Sequence, residues 1–323
     1  MGPGCFVSVG RTLDQALERA KLADELGYAS INVTHINARD SLTVLAAYAS
    51  VTQRVRLGTG VIPIYTRTPA SMAQTAATVD EFSGGRLNLG IGVSHRPVVE
   101  AWFGQTLDKP VTEMREYHAI VRAILDGTEI PAGEKWQTQM ALGMDPRPDL
   151  PILISGLSPR MLRLAGEVAD GVVLWLCNPQ YIRDVVVPEV RAGREKAGRT
   201  LDGFDIVAAV PAACVDDPEA AYGAMRRDLL TYFGLPFYRA MIERSGFGAD
   251  VEAYDAAAAK GDRDGMQAAI STGFLEALTA VGDEAGVRAG VQRYLDAGVT
   301  SPCVGPITKT DFEATLQAAA PGR

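Results

Sequence analysis

Histidine is the scarcest ionisable residue of this chain: three occur among 323 residues, as His35, His95 and His118, and no two form a His-x-His pair. A barrel hydrolase that activates water on zinc needs clustered imidazoles, so no metal site is assigned. Cysteine is hardly more frequent, and Cys5, Cys177, Cys214 and Cys303 show no Cys-x-x-Cys spacing. Zinc binding and dithiol chemistry are therefore not expected, and buried free thiols in a reducing cytoplasm are the simpler reading. Basic charge is in deficit, with a formal net charge of -8, which argues against a nucleic-acid backbone or an anionic membrane surface as partner. Long apolar runs are missing too. The longest nearly apolar stretch, Ile206 to Val215, is too short to cross a bilayer and contains Pro211. The chain shows no start resembling a secretory signal. These absences leave a cytoplasmic protein that acts on a small-molecule substrate, without nucleic acid or membrane as partner and with a homodimer left open.

What is present is organised around residues 57–95. Val55 to Val61 flattens into β-branched and glycine residues, as a buried parallel strand should. Thr68-Pro69 opens a helix, and Met72, Ala76, Val79 and Phe82 recur at helical spacing until Ser83-Gly84-Gly85 stops it. Arg86 to Val93 is a second strand, ending at Gly90, Gly92 and His95. Gly90-x-Gly92 by itself could open a dinucleotide-binding loop, but His95 stands where the third glycine belongs. The unit is strand, helix, parallel strand.

The same alternation runs through the chain. Strands are expected at Cys5 to Val9, Tyr28 to Val33, Pro151 to Ser155, Asp170 to Trp175, Phe204 to Val210 and Thr300 to Val304. Helices are expected at Thr12 to Leu26, Ser41 to Val51, Val111 to Leu125, Ser158 to Val168, Pro179 to Lys196, Asp283 to Ala297 and Thr310 to Ala319. His95 to Lys109 reads as loop, and the Gly- and Pro-rich residues 127–150 read as an excursion. From Pro218 to Leu278 the chain is alanine-rich and helical, broken at Gly234-Leu235-Pro236, Gly246 and Gly248. This is α/β patterning of a (β/α)8 TIM barrel with insertions, the largest a helical insertion at about 218–280 between strands seven and eight. Such barrels take about 250 residues and tolerate insertions, so residues 1–323 are expected to form a single domain.

In a barrel of this kind the active site lies where the loops leave the carboxyl ends of the strands. His35 follows strand two, Thr59 and Gly60 end strand three, His95 follows strand four, and Val173 to Trp175 end strand six. Histidine donates or accepts protons near neutral pH, so His35 and His95 are the candidate catalytic residues. Ser155-Gly156-Leu157-Ser158-Pro159 reads as a strand end feeding a capped helix. Its free N–H groups suit a phosphate, although a merely well-capped helix has the same local sequence. Trp175 suits stacking on a ring or substrate and suits the core equally.

Leu57-Gly58-Thr59-Gly60-Val61, the Pro69-Ala70 helix start, Phe82-Ser83-Gly84-Gly85-Arg86 and Leu89-Gly90-Ile91-Gly92 resemble, in order and spacing, the signature of the luciferase-like flavin and deazaflavin oxidoreductases. The stretch Pro151 to Gly171 is similar to the family segment whose backbone binds the cofactor phosphate. Ser94 to Glu100 resembles an actinobacterial subgroup that uses deazaflavin. The resemblance implies coenzyme F420 as cofactor, with hydride transfer to or from an ene, imine, ketone or alcohol. It implies that Thr59, Gly60, Val61, Ser155, Gly156, Leu157, Ser158, Val173 and Trp175 bind the cofactor, with a cis Gly60-Val61 bond behind its ring, and that His35 exchanges the compensating proton or bonds the substrate heteroatom. Relatives acting on sugar phosphates or alcohols often carry Asp before the histidine, Trp four positions after it and an acid after strand four. Thr34, Arg39 and His95 stand there instead. The alternatives are an FMN-dependent monooxygenase on the same fold and a non-catalytic cofactor-binding barrel.

Overall fold

Strands that read as continuous apolar runs do so because both of their faces are covered. The structure, a computed structural model, describes residues 1–7, 11–308 and 311–322. Among these are ten strands: β1 (Gly4–Phe6), β2 (Ser30–Val33), β3 (Arg56–Thr59), β4 (Ile62–Pro63), β5 (Leu87–Gly92), β6 (Ile152–Ser155), β7 (Gly171–Leu174), β8 (Asp205–Cys214), β9 (Ala280–Gly282) and β10 (Ser301–Pro306). All pairings are parallel. The order runs β1, β2, β3, β5, β6, β7, β8, β10, and β10 returns to β1 through Gly4 opposite Cys303, which closes a barrel of eight strands. The short β4 pairs only with β5, and β9 only with β8.

Successive side chains on a strand point to opposite faces, and the two faces make two cores. Ile152, Ile154, Val172, Leu174, Ile206 and Ala208 point outward into the large core shared with the helices. Leu153, Val173, Val207 and Ala209, with Phe6 and Cys303, form a separate cluster inside the barrel, and Val61 and Trp175 pack on it. The interior also holds polar groups that are internally satisfied. Asp205 accepts from the Thr300 and Ser301 hydroxyls at 2.6 and 2.7 Å, and the Asn32 amide donates to Ser30 Oγ at 3.3 Å.

Helices cover the outside, and their starts follow the capping residues. Thr12, Thr68, Ser158 and Asp283 each accept from an N–H of the first turn. The insertion is five α-helices and one π-helical turn, Glu243–Phe247, within residues 219–278, with breaks at Gly234-Leu235 and, inside the π-helical turn, at Gly246, whose φ of 88° suits glycine. Other details depart from the sequence reading. The expected loop after His95 contains a helix, Arg96–Phe103, with proline in its first turn and Gly104 closing it at φ 61°. The strand expected to stop at Val210 continues to Cys214, because β10 stays paired with it as far as Ala212. β4 and β9 are too short for any periodicity to show them. Val9 and Thr310, at the ends of the expected first strand and last helix, lie outside the described residues; the strand ends at Phe6 and the helix spans Phe312–Ala318. Among the described residues no helix is long and apolar enough to cross a membrane.

Candidate active site

The carboxyl ends of the strands converge on a mouth whose floor is the inner apolar cluster. At its centre Thr59 leads into Gly60-Val61, and the bond between those two residues is cis. The Thr59 hydroxyl donates to Gly90 O at 2.7 Å and accepts from Gly90 N–H at 2.8 Å, so it stitches β3 to β5 from a buried position. Thr59 thus acts through backbone placement. The Gly-x-Gly of β5 has the same origin. A Cβ on Gly90 would lie 2.0 Å from Thr59 O, and one on Gly92 would lie 2.6 Å from Val61 Cγ2 and 2.4 Å from Ser155 Oγ. Both positions are held to glycine by crowding across the mouth. A Cβ on Gly60 would meet the Phe6 ring at 2.6 Å, so the chain there lies directly against the apolar floor.

His35 lies just past β2, largely buried. Its Nδ1 is 3.3 Å from Ser41 N and 3.1 Å from Ser41 Oγ, and 3.7 Å from Asp40 Oδ2. Asp40 caps helix Ser41–Ala49, accepting from Thr43 N–H at 2.9 Å and from the Thr43 hydroxyl at 3.0 Å, and it also pairs with Arg67. Burial lowers the His35 pKa, Asp40 opposes this and Arg67 adds to it; the net direction is down. Burial works against the Asp40 carboxylate, but the Thr43 bonds and Arg67 hold its pKa below the usual range.

The segment after β6 presents a helix N-terminus. Ser158 accepts from Met161 N–H at 3.4 Å and caps helix Pro159–Val168. The N–H groups of Leu157, Ser158 and Arg160 have no partner among the described residues. Gly156 approaches this turn so closely that a Cβ would touch Met161 and Leu162 at 3.3 Å. Tyr181 clamps the loop by donating to Leu157 O at 2.7 Å. Ser155 is half-buried beside Gly92, and Val173 is inside the barrel, a wall residue more than a polar contact.

An aromatic wall closes the other side. Trp175 meets Phe6 edge to face at 6.1 Å. His95 caps helix Arg96–Phe103 with its backbone only, and its ring packs against Tyr238 at 5.6 Å and Tyr232 at 6.5 Å, both from the insertion. Burial alone pushes the His95 pKa down. Among the described residues the buried Trp175 indole N–H makes no hydrogen bond of normal geometry, although its neighbour, the Tyr232 hydroxyl, feels it: burial raises the Tyr232 pKa and the indole partly offsets this. Ser94 and Leu176, next to His95 and Trp175, take left-handed φ values of 57° and 58°. Non-glycine residues in that region cluster at functional sites.

The mouth therefore gathers His35, His95, the Thr59-Gly60-Val61 bulge, the helix N-terminus at Ser158 and Trp175. The sequence reading omitted Phe6, Ser41, Asp40, Arg67, Tyr232 and Tyr238. Asp40-Ser41 had a signal, an N-cap directly after a candidate histidine. The two tyrosines flank the Gly234-Leu235-Pro236 break, which marks a bend but not what the bend faces.

The profile described as luciferase-like monooxygenase matches residues 2–301. The 5,10-methylenetetrahydromethanopterin reductase of Methanolobus tindarius is 32% identical over 88% of this chain and 88% of its own length. The enzyme of that name from Archaeoglobus fulgidus is 31% identical over 92% and 91%. Among solved structures, the coenzyme F420 dependent tetrahydromethanopterin reductase of Methanopyrus kandleri superposes with a TM-score of 0.83 at 26% identity, covering 99% of this chain and 97% of that one.

Proposed function

The chain belongs to the luciferase-like monooxygenase family, and from that premise we propose that it is an oxidoreductase that uses coenzyme F420 to move a hydride to or from a small organic substrate, an ene, imine, ketone or alcohol. The observation that carries the reading is the likeness, across almost the whole chain, to a solved reductase whose name gives it as coenzyme F420 dependent, joined to a mouth whose free groups suit that cofactor. Three N–H groups at the start of helix Pro159–Val168 that are unpaired among the described residues, with Gly156 packed closely against that turn, suit a phosphate.

Bound at this mouth, the coenzyme supplies a hydride donor or acceptor at its C5 carbon. The protein supplies placement and exclusion of water, which is most of what hydride transfer requires. Leu157, Ser158 and Arg160 N–H groups hold the phosphate. The Thr59-Gly60-Val61 bulge, kept in place by Gly90 and Gly92, supports the ring, while Phe6, Val173 and Trp175 keep the floor dry. His35 holds or exchanges the proton that balances the hydride, or donates to the substrate heteroatom. His95, under Tyr232 and Tyr238, forms the substrate-side wall.

Titration of the purified protein with coenzyme F420 and with FMN tests this. F420 is expected to bind more tightly, and equal or tighter FMN binding with oxygen-dependent turnover would replace the reading with an FMN monooxygenase.

A further inference from the structure

The two roles open to His35 require different protonation, and the geometry around its Nδ1 distinguishes them. The main-chain N–H of Ser41 has Nδ1 as its acceptor at 3.3 Å. A backbone N–H cannot rotate away or reverse its sense. A proton on Nδ1 would face the Ser41 N–H head-on, so Nδ1 carries a lone pair and the ring proton belongs on Nε2. Ser41 Oγ, 3.1 Å away, is compatible with either state because a hydroxyl both donates and accepts. The main-chain group is the one that discriminates.

Two charged groups act on the ring, and they act in opposite directions. Asp40 Oδ2, 3.7 Å from Nδ1, would favour an imidazolium, but it is already committed to Thr43 and to Arg67. Arg67 itself disfavours a second cation. The ring also sits at the N-terminus of helix Ser41–Ala49, where the backbone dipole repels positive charge.

We infer that Ser41 is a positioning residue whose main-chain N–H holds His35 as the neutral tautomer protonated at Nε2, so that His35 meets the substrate as a hydrogen-bond donor and not as a cationic acid. The donor role rests on the proposed function, whereas the tautomer does not. Nε2 makes no hydrogen bond among the described residues, and its N–H is free to donate to a carbonyl, imine or alcohol heteroatom.

The chain has only three histidines, so long-range proton–nitrogen NMR on protein carrying ¹⁵N-histidine, with His35→Gln as the assignment control, reads the tautomer directly at pH 7.5. The expected spectrum has His35 with Nδ1 bare and Nε2 protonated; the opposite tautomer, an even mixture or an imidazolium overturns the proposal. Two variants locate the cause. Ser41→Ala keeps the main-chain N–H and should leave the tautomer unchanged. Ser41→Pro removes that N–H at the first helical position, which accepts proline, after Asp40 whose φ of -59° and ψ of 126° suit a residue preceding proline. It should mix the tautomers and raise the His35 pKa by about half to one pH unit, the equivalent of one modest hydrogen bond. A switch in Ser41→Ala, or no change in folded Ser41→Pro, transfers the role to the hydroxyl or to the surroundings and refutes the assignment to the Ser41 main-chain N–H. The wild-type spectrum decides the tautomer even if Ser41→Pro does not fold. None of these readouts needs cofactor or substrate, so they fail independently of the F420 reading.

Discussion

His118 lies outside the mouth, on helix Pro110–Asp126, and makes the acid stability of the protein predictable. Its ring is buried, its Nε2 has no hydrogen-bond partner among the described residues, and burial, with Arg122, Arg115 and Arg199 adding to it, pushes its pKa down to about 3. Unfolded, the group titrates near 6.5. Above that pH both states are neutral and the histidine adds no pH dependence. As pH falls below 6.5 the unfolded chain binds a proton that the native ring refuses, and stability declines by about 1.4 kcal/mol per pH unit until about pH 3, where the native ring also titrates. Between pH 7 and pH 5 the loss is about 2 kcal/mol. His118→Leu removes the titration and the orphaned nitrogen without opening a large cavity. Urea unfolding followed by circular dichroism at both pH values is therefore expected to show wild type losing about 2 kcal/mol more than the variant between pH 7 and pH 5. His35 and His95 are also lowered, but both remain in the variant and cancel in the comparison. Equal losses in the two proteins would mean that the buried ring takes up a proton after all, and would refute the argument.

Other expectations concern the mouth. His35→Ala should lower F420-dependent turnover by about 10²- to 10³-fold, the usual cost of a lost donor at a developing charge, with little change in cofactor Kd; His35→Gln, which retains an N–H, should keep far more of the rate in the same steady-state assay. Gly90→Ala would put a Cβ 2.0 Å from Thr59 O, so β3 and β5 must part and the Thr59 bonds stretch. Denaturant unfolding should register a loss of about 1 to 3 kcal/mol together with weaker cofactor binding, and a variant indistinguishable from wild type would remove the crowding explanation for that glycine. Ser158→Pro deletes the cap on Met161 N–H and one of the free N–H groups; calorimetric titration should find weaker F420 binding beyond any fall in stability, and unchanged affinity would place the phosphate elsewhere.

The sequence by itself was enough for the barrel, because the relevant signals are local. Ile152 to Ile154 and Gly171 to Leu174 read as apolar without interruption since each strand is covered on both faces, and Thr12, Thr68, Ser158 and Asp283 mark helix starts because the first turn needs an acceptor. Placing His35, Thr59, Ser158 and Trp175 at strand ends follows from that alternation alone. Tertiary structure decided what the local pattern cannot carry. Helix Arg96–Phe103 reads as loop in sequence because its first turn holds a proline and only Val99 is fully buried, so no apolar stripe announces it. The glycines at 90 and 92 lack the third glycine of a dinucleotide loop and have no local explanation in sequence; they are required by Thr59 and Val61, which reach them only once β3 and β5 lie side by side. Tyr232 and Tyr238 meet His95 because the insertion folds back over the mouth. Of the three histidines, nothing local separates His118, sealed and neutral among arginines, from His35, held by a helix N-terminus beside an ion pair. Periodicity records which face of one element is buried. The partners of that face, and hence the protonation of a ring, are fixed only when distant segments close the barrel.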